Sequence, residues 1–154
     1  MSGWFWIVAA IGLVVVVGGL ADYLLLARPG YQPVPLVMDP VPTLFIPGHL
    51  GTRYSFGHML WRLQRRYGLS KDVVAIVAPD GKVHLRGQLN LNHHAAVQVL
   101  FTDKAVRPAA QLHGLEKVIA ALQTQQAFAE VNIVGHSMGG VTAVLYLLSK
   151  PTVP

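Results

Sequence analysis

Five residues near the C-terminal end, Gly135-His136-Ser137-Met138-Gly139, match the pattern G-x-S-x-G. A serine between two such glycines can occupy a sharp turn between a strand and a helix, where its hydroxyl is exposed and can attack an acyl carbon. The β-branched run VNIV (131–134) predicts the strand, and the apolar run 138–149 predicts the helix. The motif and its setting therefore indicate that Ser137 is a nucleophile.

Two other interpretations compete with a nucleophile. Serine is a favoured N-cap residue, so Ser137 could simply cap an ordinary helix after a glycine-rich turn. Glycine-rich turns also bind phosphate, but the pattern G-x-x-x-x-G-K-[ST] is absent from the sequence. The N-cap interpretation stays open at the level of the sequence, whereas a phosphate-binding loop of the common type is disfavoured.

The elements that must position Ser137 alternate between strands and helices. Apolar runs bounded by turn residues predict four strands, at 41–47, 73–78, 97–102 and 131–134. Asp80-Gly81 predicts a hairpin that returns through 82–87. Apolar periodicity predicts three helices, at 56–67, 107–126 and 138–149. Strands that alternate with helices indicate an α/β fold, with a mostly parallel sheet, helices on its faces and one hairpin.

The N-terminal 28 residues differ from the rest of the chain. Residues 4–21 carry no charged side chain, and about 20 apolar residues are enough to span a bilayer as a helix. Trp4 and Trp6 suit the membrane–water interface. We therefore predict a membrane anchor over 1–28; a signal peptide cleaved after Ala21 is the alternative. The proline-rich segment 29–40 is predicted to be a linker to a domain over 41–154.

The charge balance indicates which partners the chain can have. The formal net charge is +5, which favours contact with anionic surfaces. Arg62, Arg65 and Arg66 form a cluster that is either a solvated helix face or a contact for anionic lipid or wall polymer. Motifs that read nucleic-acid bases are absent, so we expect no nucleic-acid partner. With no cysteine and no metal-binding histidine spacing, we expect no cofactor and no metal.

The run VNIVGHSMGGVTAVLYLL resembles the nucleophile region of α/β-hydrolases. PTLFIPGHLGTRYSFGHMLWRL resembles the first core strand and oxyanion loop of one family among them, the membrane-anchored, esterase- or lipase-like cell-surface hydrolases of Gram-positive bacteria. VVAIVAPDGKVHLRGQL resembles the hairpin of that family. The resemblance implies the N-terminal half of an α/β-hydrolase behind a transmembrane helix. It also implies a single-pass protein of the cell membrane, with an extracytoplasmic domain that hydrolyses a small ester or lipid-like substrate.

The resemblance also assigns roles to individual residues. Ser137 matches the nucleophile, and the backbone N–H of Met138 matches one donor of the oxyanion hole. The second donor maps to the backbone N–H of His49, in the loop after the first strand. Two positions of that loop depart from the family pattern: Pro47 stands where histidine is usual, and Leu50 stands where glycine is common.

The residues after Ser137 include no Asp, Glu or His. In this fold the acid and the general base follow the serine along the chain. We therefore expect a truncated domain with little or no turnover, and a non-catalytic, membrane-tethered binding or remnant domain is the alternative. A truncated sheet would leave an open edge through which the chain can self-associate. His93 and His94 are expected to be solvated loop residues that do not replace the missing base.

Overall fold

The computed structural model describes residues 3–26, 41–103 and 106–149. The chain divides into two compact units, residues 1–34 and 35–154. The first contains helix α1, Gly3–Leu26. Its stretch Gly3–Leu24 has a mean hydropathy of 2.4 and is long and apolar enough to cross a membrane, as a signal sequence at this position would also be. The predicted linker, 29–40, lies outside the described residues.

The second unit alternates strands and helices as predicted. Its elements, in chain order, are β1 (Thr43–Ile46), α2 (Tyr54–Tyr67), β2 (Ser70–Val77), β3 (Val83–Gly87), β4 (Ala95–Phe101), α3 (Pro108–Gln125), β5 (Asn132–Gly135) and α4 (Met138–Ser149). The five strands form one sheet in the order β3-β2-β4-β1-β5. Among the described strand pairs, only β2–β3 is antiparallel. The predicted α/β fold, with a mostly parallel sheet, flanking helices and one hairpin, is confirmed.

Side chains of β4 alternate between the two faces of the sheet and fill two cores. Val97 and Val99 join the larger core, together with Leu115 and Leu122 of α3. Ala96 joins the smaller core on the opposite face, with four other residues: Phe45, Phe56, Leu60 and Leu69. Full burial of one such side chain stabilises the fold by about 1.5–3 kcal/mol. The sheet is therefore fixed from both sides, with α3 on one face and α2 on the other.

The β2–β3 hairpin turns at the predicted Asp80-Gly81 pair. Gly81 has a positive φ of 76°, and the backbone N–H of Lys82 donates to Asp80 Oδ1 over 3.0 Å. The side chain of Lys82 also hydrogen-bonds Asp80, which lowers the pKa of that carboxyl and raises the pKa of the Lys82 ammonium. The turn is therefore held locally by its own side chains, which explains why a dipeptide was enough to predict it.

Candidate functional site: the nucleophile elbow

Ser137 lies in the short connection between β5 and α4. Its φ is +52°, a left-handed value that is uncommon for a residue other than glycine and costs about 1–3 kcal/mol. The N–H of His136 donates to the carbonyl oxygen of Ile46 over 3.1 Å, so β5 stays paired with β1 up to the turn. The N–H of Gly140 then donates to Ser137 O over 2.9 Å, which starts the helix. Ser137 is exposed at the carboxyl edge of the sheet.

This conformation bears on the N-cap interpretation. An N-cap residue normally has β-region dihedral angles, with its side-chain oxygen turned toward the N–H groups of the first helical turn. Ser137 has left-handed φ instead. Among the described residues, we find no hydrogen bond to its hydroxyl. The geometry thus resembles the strained turn of a nucleophile more than an ordinary cap.

Two glycines allow this turn because neighbouring backbone lies where a side chain would be. A Cβ atom on Gly135 would lie 2.6 Å from the backbone nitrogen of Gly140. A Cβ atom on Gly139 would lie 2.8 Å from the carbonyl oxygen of Pro47 and would overlap that of Ile46. Backbone atoms cannot rotate away as a flexible side chain can, so both positions require glycine.

The loop after β1 passes directly beside the nucleophile. β1 and β5 are parallel neighbours, so their carboxyl ends meet at the same edge of the sheet. A Cβ atom on Gly48 would lie 2.9 Å from the Cβ of Ser137, which places the loop backbone in contact with the serine. The predicted oxyanion residues, His49 and Met138, each adjoin one member of this contacting pair. The structure therefore brings the three predicted site residues to one place.

Leu50 and Pro47, which depart from the pattern of the family that the sequence resembles, lie in and beside one tight turn. The N–H of Gly51 donates to the carbonyl oxygen of Gly48 over 3.1 Å and closes a tight turn. Leu50 is the third residue of that turn and has φ of +56°, the conformation that favours glycine. Pro47 packs against the turn, because a Cβ on Gly51 would lie 2.9 Å from its Cγ. The loop therefore accepts leucine with local strain, a feature that the sequence did not reveal.

Among the described residues of the second unit, the closest acid–histidine pair joins Asp72 and His93; His113 and Glu116 of α3 form a longer one, at 3.7 Å. His93 Nε2 lies 2.8 Å from Asp72 Oδ2, and the side chain of Asp72 is only 6% exposed. His93 lies in the loop before β4, as expected, and its partly exposed side chain is paired with Asp72, a partner that the sequence did not predict. Asp72 lies at an irregularity near the start of β2, and His93 lies just before β4 begins at Ala95. Both residues are at the amino edge of the sheet, opposite Ser137, so this pair cannot act on the Ser137 hydroxyl.

His136 is the other imidazole close to the nucleophile in sequence. Its ring stands perpendicular to that of Phe56, with the ring centroids 6.5 Å apart. Phe56 belongs to the first turns of α2 and is buried in the core on that side. Among the residues described by the structure, no group of three or more His, Asp or Glu side chains is arranged to hold a metal ion. The described site thus consists of the strained Ser137 and the loop backbone at Gly48 beside it.

The comparisons with known proteins agree with this fold. One family model, described as an alpha/beta hydrolase of unknown function (DUF915), matches residues 36–152. A crystal structure of the lin2722 gene product from Listeria innocua aligns with a TM-score of 0.65, at 24% identity over 70% of this chain. That of a candidate cell surface hydrolase from Lactobacillus plantarum aligns with a TM-score of 0.61, at 21% identity over 74% of the chain.

The match covers less than half of each solved structure. The aligned region is 44% of the Listeria chain and 47% of the Lactobacillus chain. At these identities the likeness concerns the fold alone. No curated protein matches the sequence.

Proposed function

The chain belongs to this family of α/β hydrolases, since the family model covers residues 36–152, and we propose that it supplies the nucleophile and oxyanion donors of a serine hydrolase for carboxylic esters. The observation that carries the proposal is the exposed, left-handed Ser137 in contact with the Gly48 loop. A small ester or lipid-like molecule is the proposed substrate.

The proposed reaction passes through an acyl-serine. The Ser137 hydroxyl gives its proton to a base as its oxygen bonds to the acyl carbon, and the carbonyl oxygen becomes an oxyanion that accepts hydrogen bonds from the N–H groups of Met138 and His49. The carbon–oxygen bond to the alcohol then breaks, and the alcohol leaves with a proton. Water hydrolyses the acyl-serine in a second, equivalent step. Loss of one oxyanion donor costs about 10²–10³-fold in rate in a comparable site.

Within the part of the chain that the structure describes, the site contains no general base. A serine hydroxyl is a weak nucleophile at neutral pH unless a base takes its proton. Within the described residues, no imidazole or carboxylate hydrogen-bonds Ser137, and the Asp72–His93 pair lies at the opposite edge of the sheet. We therefore expect this 154-residue chain to show negligible turnover by itself. A non-catalytic, tethered binding domain is the alternative function.

The test is the rate at which a fluorophosphonate probe modifies Ser137 of the full chain, measured by mass spectrometry between about pH 7 and pH 10. Ser149 lies at the C-terminal end of α4, the helix that follows Ser137, and serves as the internal control. We expect Ser137 to react at least about tenfold faster than Ser149, because backbone N–H groups stabilise the anionic transition state. The rate should rise about tenfold per pH unit without a plateau, since hydroxide replaces the base.

Two results would contradict the proposal in different ways. Equal rates at Ser137 and Ser149 would mean that no oxyanion site exists, and would favour the binding domain. A plateau above about pH 7 would mean that a histidine of this chain acts as the base, so that the expected inactivity is wrong. Ser137→Ala and Ser149→Ala identify which serine carries the probe.

We also propose that α1 anchors the protein in the cell membrane by a single pass, with the second unit outside the cytoplasm. The support is the length and apolar composition of Gly3–Leu24, together with the described surface location of the Lactobacillus protein of similar fold. After a carbonate wash, a C-terminally tagged chain should stay in the membrane fraction. Full-length protein in the wash would contradict an integral anchor, and a shortened secreted form would indicate cleavage.

A further inference from the structure

A cleft of about 490 Å³ lies on the α2 side of the sheet, between α2 and the strands β2, β3 and β4. Its floor is apolar: Val74, Ile76 and Leu100 line it, and Ile76 is paired with Leu100 across β2 and β4. The described lining includes three cationic residues, Arg53, Lys71 and Arg86, and no Asp or Glu. The other lining residues are Tyr54, Gly57 and Gln98.

The strand register explains how charge and apolar surface meet in this cleft. Val74 of β2 is paired with Arg86 on one side and with Gln98 on the other, so these residues form one cross-strand row. Gln98 is buried, and its Nε2 donates to the carbonyl oxygen of Arg53 over 2.8 Å. This bond fixes the start of α2 beside the sheet, and with it the position of Arg53 in the cleft.

The exposed face of α2 also carries cationic and aromatic side chains. Tyr54, His58, Trp61 and Arg65 are spaced by four, three and four residues, which places them along one side of the helix. The rings of His58 and Trp61 lie 5.6 Å apart, and the Arg65 guanidinium lies 5.3 Å from the Trp61 ring. Tyr54 is 75% exposed and Trp61 is 43% exposed.

Arg53 joins the cleft to this helix face. Its guanidinium lies 5.1 Å from the centroid of the Tyr54 ring, and both side chains line the cleft. Residues 53–67 contain four arginines and no acidic residue. Cleft and helix face together thus form a continuous surface of cations and exposed aromatic rings, beside an apolar floor.

We propose that this surface docks on a membrane that contains anionic phospholipid. Arginine and lysine bind phosphate through charge-assisted hydrogen bonds, so Arg53, Lys71 and Arg86 would take the headgroup phosphate. The apolar floor matches the part of the lipid just below the headgroup. Tyr54 and Trp61 are the residue types that collect at the headgroup level of a bilayer.

A lipid surface fits these observations better than a soluble polyanion. A polyanion would use the cations but leaves the apolar floor and the exposed rings unexplained, whereas an amphipathic surface with basic and aromatic residues is typical of interfacial binding. The same chain carries α1, which is long and apolar enough to cross a membrane. If α1 holds the chain in the membrane, the second unit is already close to lipid, and a weak affinity for the lipid surface is then sufficient for docking. It does not require Ser137 to be reactive.

The test uses Trp61 as a reporter in the full chain. The sequence has three tryptophans, and Trp4→Phe with Trp6→Phe leaves Trp61 alone. The protein is reconstituted in vesicles of brominated phosphatidylcholine, with or without about one-third phosphatidylglycerol. We expect at least about twofold more quenching of Trp61 fluorescence in the anionic vesicles, and a return to the neutral value at about 0.5 M salt, where exposed charges are screened.

Two double variants that each remove two positive charges distinguish binding by this surface from an effect of net charge alone. Lys71→Gln with Arg86→Gln removes two cleft cations and should abolish the extra quenching. Arg107→Gln with Lys117→Gln removes two exposed charges at α3, whose core-facing side packs on the opposite face of the sheet, and should leave it intact. Far-ultraviolet circular dichroism checks that each variant stays folded.

Three results would overturn the proposal. The first is equal quenching of Trp61 in neutral and anionic vesicles. The second is an equal loss of the extra quenching in both pairs of variants. The third is a change in Trp61 fluorescence with soluble polyphosphate but none with anionic vesicles. The last outcome would point to a wall-polymer type of partner instead of a lipid surface.

Discussion

The two neighbouring glycines of α4 give a direct test of the elbow geometry. Gly139 is buried, and a Cβ on it would overlap the carbonyl oxygen of Ile46 and lie 2.8 Å from that of Pro47. Both oxygens belong to the end of β1 and the start of the loop beside Ser137. A Cβ on Gly140, by contrast, would lie 3.7 Å from its nearest neighbour, which is an ordinary contact. Alanine should therefore have opposite effects at these adjacent positions.

The magnitudes follow from two competing terms. Replacing glycine by alanine inside a helix stabilises it by about 1 kcal/mol. Overpacking costs about 1–3 kcal/mol, and the upper end applies to Gly139 because the overlapped atoms are backbone. Gly139→Ala should thus lower the free energy of unfolding by about 2 kcal/mol, and Gly140→Ala should raise it by about 0.5–1 kcal/mol. The difference of about 3 kcal/mol corresponds to roughly 10–20 °C in Tm for a domain of this size.

The assay is thermal unfolding of the full chain in detergent, followed by near-ultraviolet circular dichroism so that tertiary packing is measured and not the helicity of α1. Urea unfolding of the same variants gives the free energies. The reasoning is refuted if Gly139→Ala unfolds within about 2 °C of the wild type, or if Gly140→Ala loses as much stability as Gly139→Ala.

Three further predictions concern the two loops and the exposed face of α4. Leu50→Gly should raise the free energy of unfolding by about 0.5–1 kcal/mol in urea, because glycine takes a positive φ without steric cost; a decrease would contradict this. Asp72→Asn should lower it by about 1–3 kcal/mol, because the buried carboxylate of Asp72 accepts the hydrogen bond of His93; an unchanged urea midpoint would argue against a structural role. Val144→Lys with Leu148→Lys should reduce the self-association expected of the chain, since both side chains are more than half exposed; light scattering in detergent that shows the same mass for both proteins would refute it.

The sequence predicted those features of the fold that depend on neighbouring residues. The strand, the glycines and the helix around Ser137 are contiguous, so the turn could be inferred from residues 131–149 alone. The left-handed Leu50 could not, because its conformation follows from the turn that Gly48 and Gly51 close and from the packing of Pro47. For the same reason, strand order and register emerged only from the structure.

The Asp72–His93 pair is a long-range contact that local sequence patterns could not predict. The two residues are 21 positions apart and meet because β2 has an irregularity between Lys71 and Val73, next to the start of β4. The strand periodicity predicted over 73–78 stops short of Asp72. From sequence alone, a loop histidine with an acidic partner looks the same as one that contacts only water, so the pairing of His93 with Asp72 could not be predicted.

The position of this pair constrains any account of catalysis. Asp72 also accepts the N–H of Asn90 over 3.1 Å, so its carboxylate holds the loop before β4 in place. β5 has four residues, Asn132–Gly135, which separate the two edges of the sheet by about 13 Å at 3.3 Å per residue. An imidazole at the amino edge cannot cover that distance. Within the described residues β5 is the edge strand, and Val134 is exposed there. A base for Ser137 therefore has open access beside β5, on the side opposite the loop that carries His49.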